Sequence, residues 1–276
     1  MNTILITGCS SGIGLDTAIA FRDSGWTVIA SCRKLKDCEA MRNAHDMHSI
    51  RIDYEDEASI VSGFKATLEI TNGQLDVLFN NGAYGIPAFV EDLPTDALRA
   101  IFEANFFGWH TLSRLAIAQM RQQKKGRIIQ NSSVLGFAPL KFRGAYNATK
   151  FALEGLTDTM RLELKQTNIH LALIEPGPIR TRIRENAYMQ FKRWITWKGT
   201  AQESWYENIG IPRLSAINPA PDTFELMPNA VTKAVMHAAT AKYPKLRYRV
   251  TTATTLMMIL RRVLTSRAYD RLAHRL

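Results

Sequence analysis

The chain has 276 residues, of which 46% are apolar and 22% charged, a globular balance that excludes a disordered, collagen-like or coiled-coil protein. This length holds one large domain or two small ones with an ample core, so neither a disulfide framework nor a metal staple is needed, and no metal site is expected. The formal charge is +10, but +8 of it falls after residue 241, where nine basic residues stand against Asp270 alone. The nearly neutral body carries no nucleic-acid recognition motif, so no nucleic-acid partner is expected.

Thr3–Thr7 (TILIT) reads as a buried strand and is followed by a glycine cluster. Ile13–Ser24 has helical spacing, with Gly25 as its stop. Further strands are predicted at Thr27–Ser31, Ser49–Asp53, Asp76–Asn80, Gly126–Ser133 and His170–Ile174. Helices are predicted at Glu55–Ile70, Thr95–Gln122 (with Gly108 inside it) and Ala145–Gln166. Strand–helix alternation on this scale predicts an α/β fold, a parallel sheet with helices on both faces. The pattern loosens from Arg180 to Met227, where Trp194, Trp197 and Trp205 fall close together, and a segment this long reads as a lid or binding element. Periodicity returns at Pro228–Lys242. No linker divides the chain, so one domain over 1–276 is expected, with 178–227 as the lid and 251–276 as a basic amphipathic extension.

Three cysteines (Cys9, Cys32, Cys38) are too few for a disulfide framework and favour a reducing compartment. The opening MNTILITG has no leader character, and Val250–Leu260 would span about 16 Å as a helix against roughly 30 Å of hydrocarbon. A cytoplasmic location is therefore expected. The tail Leu256–Leu276 mixes apolar residues with arginines. It either lies on an anionic membrane surface, as a peripheral contact, or packs on the domain with its charges in water; the second is the commoner outcome.

The loop Thr7-Gly8-Cys9-Ser10-Ser11-Gly12-Ile13-Gly14 joins the first strand to the first helix. Glycines at such a turn let the backbone approach a pyrophosphate, which the N–H groups of the helix start then receive. A plain strand-to-helix turn is the alternative, but three glycines in seven positions favour a nucleotide. Candidate contacts are Thr7, Gly8, Ser10, Ser11, Gly12, Ile13 and Gly14. The second strand runs into Arg33 and Lys34 with no acid at 30–34 to bond a ribose 2′-hydroxyl. The two cations suit a 2′-phosphate, which favours NADP(H) over NAD(H), unless they are an ordinary solvated pair. Asp53 either faces the adenine or caps the following helix.

Tyr146 and Lys150 stand at i, i+4 near a helix start, with Ser133 thirteen residues earlier at a strand end. A lysine cation beside a phenol favours the phenolate and makes a workable acid/base near neutral pH. The Ser133 hydroxyl could bond the same oxygen that Tyr146 protonates. A second pair, Tyr188 and Lys192, has Glu175 thirteen residues upstream and falls in the irregular segment; it reads as coincidence.

With the loop at Thr7–Gly14, Asn80-Asn81-Gly82-Ala83, Asn105, Ser133, Tyr146, Lys150, and Pro176-Gly177 with Thr181, the chain resembles the short-chain dehydrogenase/reductase family from Asn2 to about Arg249. The resemblance implies a seven-stranded, doubly wound parallel sheet of Rossmann type. It implies hydride transfer between NAD(P)(H) and a carbonyl or alcohol. Tyr146 would be the acid/base, Lys150 would bond the nicotinamide ribose, Ser133 would orient the carbonyl, and Asn105 would hold a proton-relaying water. Asn81, Gly82 and Ala83 would shape the adenosine side, and Pro176, Gly177, Ile179 and Thr181 the nicotinamide end. Two residues depart from the pattern: Gly82 and Ala83 are transposed, and Ser11 replaces a loop cation common in NADP members.

Within the family, Pro228–Val250 resembles enzymes of retinoids, 17β-hydroxysteroids and lipid aldehydes, and Leu173–Thr181 (LIEPGPIRT) a bacterial NADP-dependent aldehyde reductase subgroup. This implies a small apolar carbonyl or alcohol substrate. The aromatic residues of 190–206 would line its pocket or pack the lid onto the core. The family also implies a homodimer or homotetramer through the two long helices. An extended-branch epimerase or dehydratase is disfavoured by the three-residue gap after Gly8. A non-catalytic NADP(H)-sensing or membrane-surface regulator is disfavoured by intact Ser133, Tyr146 and Lys150.

Overall fold

The computed structural model of the chain describes residues 2–217 and 220–274. Seven strands, β1 (Thr3–Thr7), β2 (Thr27–Cys32), β3 (His48–Arg51), β4 (Val77–Asn80), β5 (Gly126–Asn131), β6 (Ile169–Glu175) and β7 (Arg247–Arg249), form one parallel sheet. Their order is β3-β2-β1-β4-β5-β6-β7, so the winding reverses between β1 and β4 and opens a crevice at the carboxyl ends of those strands.

The helices are α1 (Gly12–Asp23), α2 (Leu35–His45), α3 (Glu57–Ile70), α4 (Thr95–Phe102), α5 (Gly108–Gln123), α6 (Gly144–Glu163), α7 (Ile183–Trp194), α8 (Glu203–Trp205), α9 (Ile211–Ser215), α10 (Asn229–Thr240), α11 (Thr252–Val263) and α12 (Ser266–Ala273). Strand alternation divides the core between two faces. Ile4 and Ile6 of β1 face Phe21 of α1, Met41 of α2 and Val231 and Val235 of α10. Leu5 faces the opposite layer, with Phe64 of α3, Trp109 and Leu112 of α5 and Leu153 of α6.

Several expected boundaries move. α2 and β7 add elements where none was read directly. The long helix at 95–122 is α4 and α5 joined by a π-turn at Glu103–Phe107. The fifth strand stops at Asn131, and Ser133 instead caps a 3₁₀ turn at Val134–Gly136. The irregular stretch 180–227 contains α7, α8 and α9. Asp53 lies two residues past β3 and does not cap α3; Asp56 does, its Oδ1 accepting from Ser59 N at 3.1 Å.

The C-terminal tail packs on the domain. Tyr269 is buried and Met257 nearly so, against Ala138, Val134 and Phe137, and Lys141 Nζ donates to the His274 carbonyl at 2.9 Å. The expected basic residue Arg275 and the terminal Leu276 lie outside the described residues. Among the described residues no helix is long and apolar enough to cross a membrane. All three cysteines are free and buried.

Candidate active site

The glycine loop begins where β1 ends. Buried Thr7 Oγ1 accepts from Asn81 N (2.8 Å) and Gly82 N (3.2 Å) and lies 2.8 Å from Tyr54 Oη, whose own hydrogen goes to Asn80 Oδ1 at 2.7 Å. Asn81 Nδ2 donates to the Thr7 carbonyl at 2.9 Å, while Asn81 Oδ1 accepts from Asn131 Nδ2 at 2.9 Å. Thr7 and Asn81 thus brace the loop from below with side chains already committed to protein partners. Gly8 and Gly12 adopt φ of +70° and +58°. A Cβ on Gly14 would stand 2.8 Å from the Gly8 carbonyl carbon and 2.8 Å from Asn81 Nδ2, and closer still to the Gly8 oxygen. Ser11, the N-cap of α1, makes no side-chain cap bond, so the first-turn N–H groups are free for an anion. Ser10 is exposed, and Ser11 and Ile13 are half-buried. Thr181 crosses over this cradle, its Cγ2 3.0 Å from where a Gly12 Cβ would be. Gly82 is not in the left-handed region, so its exchange with Ala83 leaves ordinary backbone angles.

At the sheet edge, Arg33 and Lys34 are exposed just past β2, and neither is ion-paired among the described residues. Arg51, opposite Cys32 on β3, is a third cation that the motif reading missed. Its Nε donates to the Arg33 carbonyl at 3.2 Å, and its charge is taken up by Asp53 (3.4 Å) and Asp56 (3.3 Å). Asp53 also accepts from Glu55 N at 3.2 Å, so its carboxylate is largely engaged in its own turn.

The first two turns of α6 place Tyr146 and Lys150 on one face. Lys150 is 1% exposed. Its Nζ donates to the Asn131 carbonyl at 2.7 Å and lies 4.3 Å from the Trp109 ring centroid and 5.5 Å from that of Tyr146. Ser133 Oγ accepts from Leu135 N at 3.1 Å and keeps its own hydrogen for another partner. Burial pushes the Tyr146 phenol up to about 12, and the neighbouring Ser133 hydroxyl offsets part of that rise. Burial pushes the Lys150 ammonium down to about 7, and Glu154, one turn on, resists the fall.

Burial thus opposes charge on both partners: it favours the neutral phenol of Tyr146 and disfavours the ammonium of Lys150.

Asn105 sits fully buried in the π-turn between α4 and α5. Its Oδ1 accepts from Tyr84 N at 3.1 Å, and its Nδ2 donates to the Tyr84 carbonyl at 2.8 Å and to Thr149 Oγ1 at 3.4 Å. The amide splints the chain leaving β4 to α6, so any water it helps to place must use the backbone that the π-turn widens. At the other rim, the Pro176 carbonyl accepts from Val134 N at 2.8 Å and ties β6 to the Ser133 turn. Gly177 packs against Thr251 and Thr254 of α11, and Ile179 pairs with Leu226.

Beside the site, Trp205 and Tyr206 pack edge-on against Phe89 and Phe142. Phe142 lies 4.6 Å from Trp205 and 5.8 Å from Tyr206, and Phe89 lies 4.9 Å from Trp205. Tyr206 donates to Asp92 at 2.9 Å and accepts from Phe89 N at 3.1 Å. Trp194, Trp197 and Tyr188 border the same cluster, as does Tyr146. Tyr188 and Lys192 lie on α7 with Lys192 exposed, in contrast to buried Lys150. The sequence reading missed Asn131, Trp109 and Glu154; only Glu154 left a signal, its i+4 spacing from Lys150.

The short chain dehydrogenase family model matches residues 2–191. An uncharacterized oxidoreductase, YbbO, of Escherichia coli K12 is 36% identical over 270 residues, covering 98% of this chain and 93% of that protein. Human retinol dehydrogenase 8 is 29% identical, covering 99% and 89%. The crystal structure of a short-chain dehydrogenase from Streptomyces avermitilis superposes with a TM-score of 0.77 at 26% identity, covering 99% and 97%. With the glycine cradle, the buried Tyr146–Lys150 face and the parallel sheet, these matches establish that the chain belongs to the short-chain dehydrogenase family of oxidoreductases.

Proposed function

We propose that the chain is an NADP(H)-dependent oxidoreductase that interconverts an apolar carbonyl compound and its alcohol. The observation that carries this reading is the convergence of Ser133, Tyr146 and a buried, hydrogen-bonded Lys150 beside a loop whose Gly14 admits no side chain. The loop fits a dinucleotide: its left-handed glycines and the uncapped start of α1 make a pyrophosphate cradle, and NAD(H) would sit there by the same contacts. When bound, the nicotinamide supplies or accepts a hydride at the carbonyl carbon.

Every other task falls to side chains of this chain. The free hydrogen of Ser133 is the natural partner for the carbonyl oxygen and fixes its position. Tyr146, held as a neutral phenol by burial, gives its proton to that oxygen in reduction and takes it back in oxidation. Lys150 stabilises the phenolate left behind, Asn131 aims its ammonium, and Asn105 fixes the α4–α5 bend behind it. Arg33, exposed and without an ion-pair partner among the described residues, is the residue best placed for a 2′-phosphate, with Lys34 beside it. The aromatic lid borders Tyr146 with apolar surface, which supports an apolar substrate, as does the likeness to a retinol dehydrogenase.

Self-association is part of the reading. Phe102 and Phe107 of the α4–α5 bend line a shallow apolar groove with Leu98, and Phe107 is 47% exposed. A homodimer through this face would cover it.

The test is a grid of aldehydes, ketones and alcohols graded by chain length, each assayed with NADPH and with NADH. The reading expects kcat/KM to rise with apolar length and to favour NADPH. Turnover confined to NADH or to short polar substrates overturns it.

A further inference from the structure

Lys150 is deeply buried, which disfavours its charge, whereas a cation is what Tyr146 requires. The geometry points to Glu154 as the positioning residue that, clamped by Arg247, supplies the counter-charge keeping Lys150 an ammonium. This inference rests on the catalytic reading of Tyr146 and Lys150 given above.

Glu154 follows Lys150 by one helical turn on the same face of α6 and is 8% exposed. Its two oxygens have different surroundings. Oε2 accepts from Arg247 Nη2 at 3.0 Å, which anchors the carboxylate to β7. Oε1 is buried on the side of the turn that Ser133 caps, 3.2 Å from where a Gly136 Cβ would be, and the Ser132 hydroxyl, 2.8 Å from the same point, favours its charged form. Burying the carboxylate still costs desolvation, which a cation nearby offsets.

Arg247 does not neutralise Glu154 by itself, because it is shared. Its guanidinium also meets Asp158 at 2.7 Å and Glu175 at 3.0 Å. Asp158 has a second partner, Arg161, at 3.2 Å, and Glu175, 1% exposed, has Arg249 at 3.5 Å. Of the three carboxylates around Arg247, Glu154 alone lacks another arginine among the described residues, and the nearest remaining cation along its helix is Lys150. Burial raises the Glu154 carboxyl, the Ser132 hydroxyl and the Arg247 clamp oppose that rise, and Glu154 in turn favours the Lys150 ammonium.

The test is the pH profile of kcat/KM for NADPH-dependent carbonyl reduction, whose alkaline limb reports loss of the Lys150 proton. Glu154→Gln keeps the shape and the acceptor for Arg247 but removes the charge. The limb is expected to move toward acid by about one to two pH units, the effect of losing a unit charge one helical turn away in a protein-like dielectric. Turnover at neutral pH is expected to fall about tenfold, as the charged fraction falls. Glu154→Asp keeps the charge and is expected to restore most of the limb. A purely structural role would lower kcat evenly and leave the limb in place, and that result overturns the inference. Should Glu154→Gln not fold, Lys150→Arg decides: a guanidinium stays charged throughout this range. The alkaline limb must then leave the accessible range, and a limb that stays overturns the inference. If wild-type protein shows no NADP(H)- or NAD(H)-linked turnover, the proposed function has failed first.

Discussion

Gly14→Ala isolates the contribution of the cradle. The new Cβ would stand 2.8 Å from the Gly8 carbonyl carbon and 2.8 Å from Asn81 Nδ2, whereas unstrained contact begins near 3.4 Å. The start of α1 must retreat from β1 by at least about 0.6 Å. Neither neighbour can yield cheaply, because one is backbone and the other is tied to the Thr7 carbonyl and, through its Oδ1, to Asn131. Overpacking of this kind costs about 1–3 kcal/mol, or roughly 2–10 °C in Tm for a chain of this size. The same retreat misaims the N–H groups of the helix start. Losing one charge-assisted bond weakens NADPH binding by at least about tenfold. Thermal melts and NADPH fluorescence titration measure the two effects. Gly25→Ala is the control: its φ of +79° strains a side chain, but nothing lies within 4 Å and the loop is remote, so stability falls while affinity holds. Wild-type NADPH affinity in Gly14→Ala would refute the cradle.

Arg33→Ala should weaken NADPH binding by about tenfold or more, the worth of a charge-assisted phosphate contact, with little change for NADH; equal losses refute the 2′-phosphate role. Asp56→Ala should lower stability by about 1 kcal/mol through loss of the α3 cap while NADPH affinity is kept, as read by urea melts and titration. Lys150 carries a pH signature of its own. Its folded value is lowered from 10.5 to about 7, so the unfolded chain binds more protons between those values and stability rises with pH across that window. Below about pH 7 the full destabilisation is present. Lys150→Met should therefore flatten that rise in urea melts of the cofactor-free protein, and an unchanged slope would contradict the burial argument. Phe107→Glu should shift the chain toward monomer in sedimentation, since a charge in the α4–α5 groove opposes its burial.

The parts legible from sequence are those where sterics or periodicity leave few solutions. Gly8 and Gly14 sit where backbone meets backbone, Gly12 takes a left-handed φ, and TILIT alternates between two helix layers, so all of these could be read directly. α2 escaped because its sequence LKDCEAMRNAH buries only Cys38 and Met41, too few to mark a stripe. β7 escaped because it is three residues at a sheet edge, with Tyr248 alone turned inward between two arginines. Asp53 reads as a cap in the sequence, but α3 starts only at Glu57, so Asp56 takes that position. The helices α7 to α9 were hidden because their aromatic residues pack against each other and against Phe89 and Phe142, distant in sequence, rather than along one helical face. Lys150 and Tyr146 were found by spacing, but how strongly each resists ionisation depends on burial, which spacing does not encode.

The account turns on the proton that Tyr146 carries. The direct measurement is single-turnover reduction by Tyr146→Phe preloaded with NADPH, with cofactor affinity checked by fluorescence. The account predicts wild-type NADPH affinity with hydride transfer slowed by at least about 100-fold, the lower range for removing a general acid. Transfer at near wild-type rate with cofactor bound would contradict it.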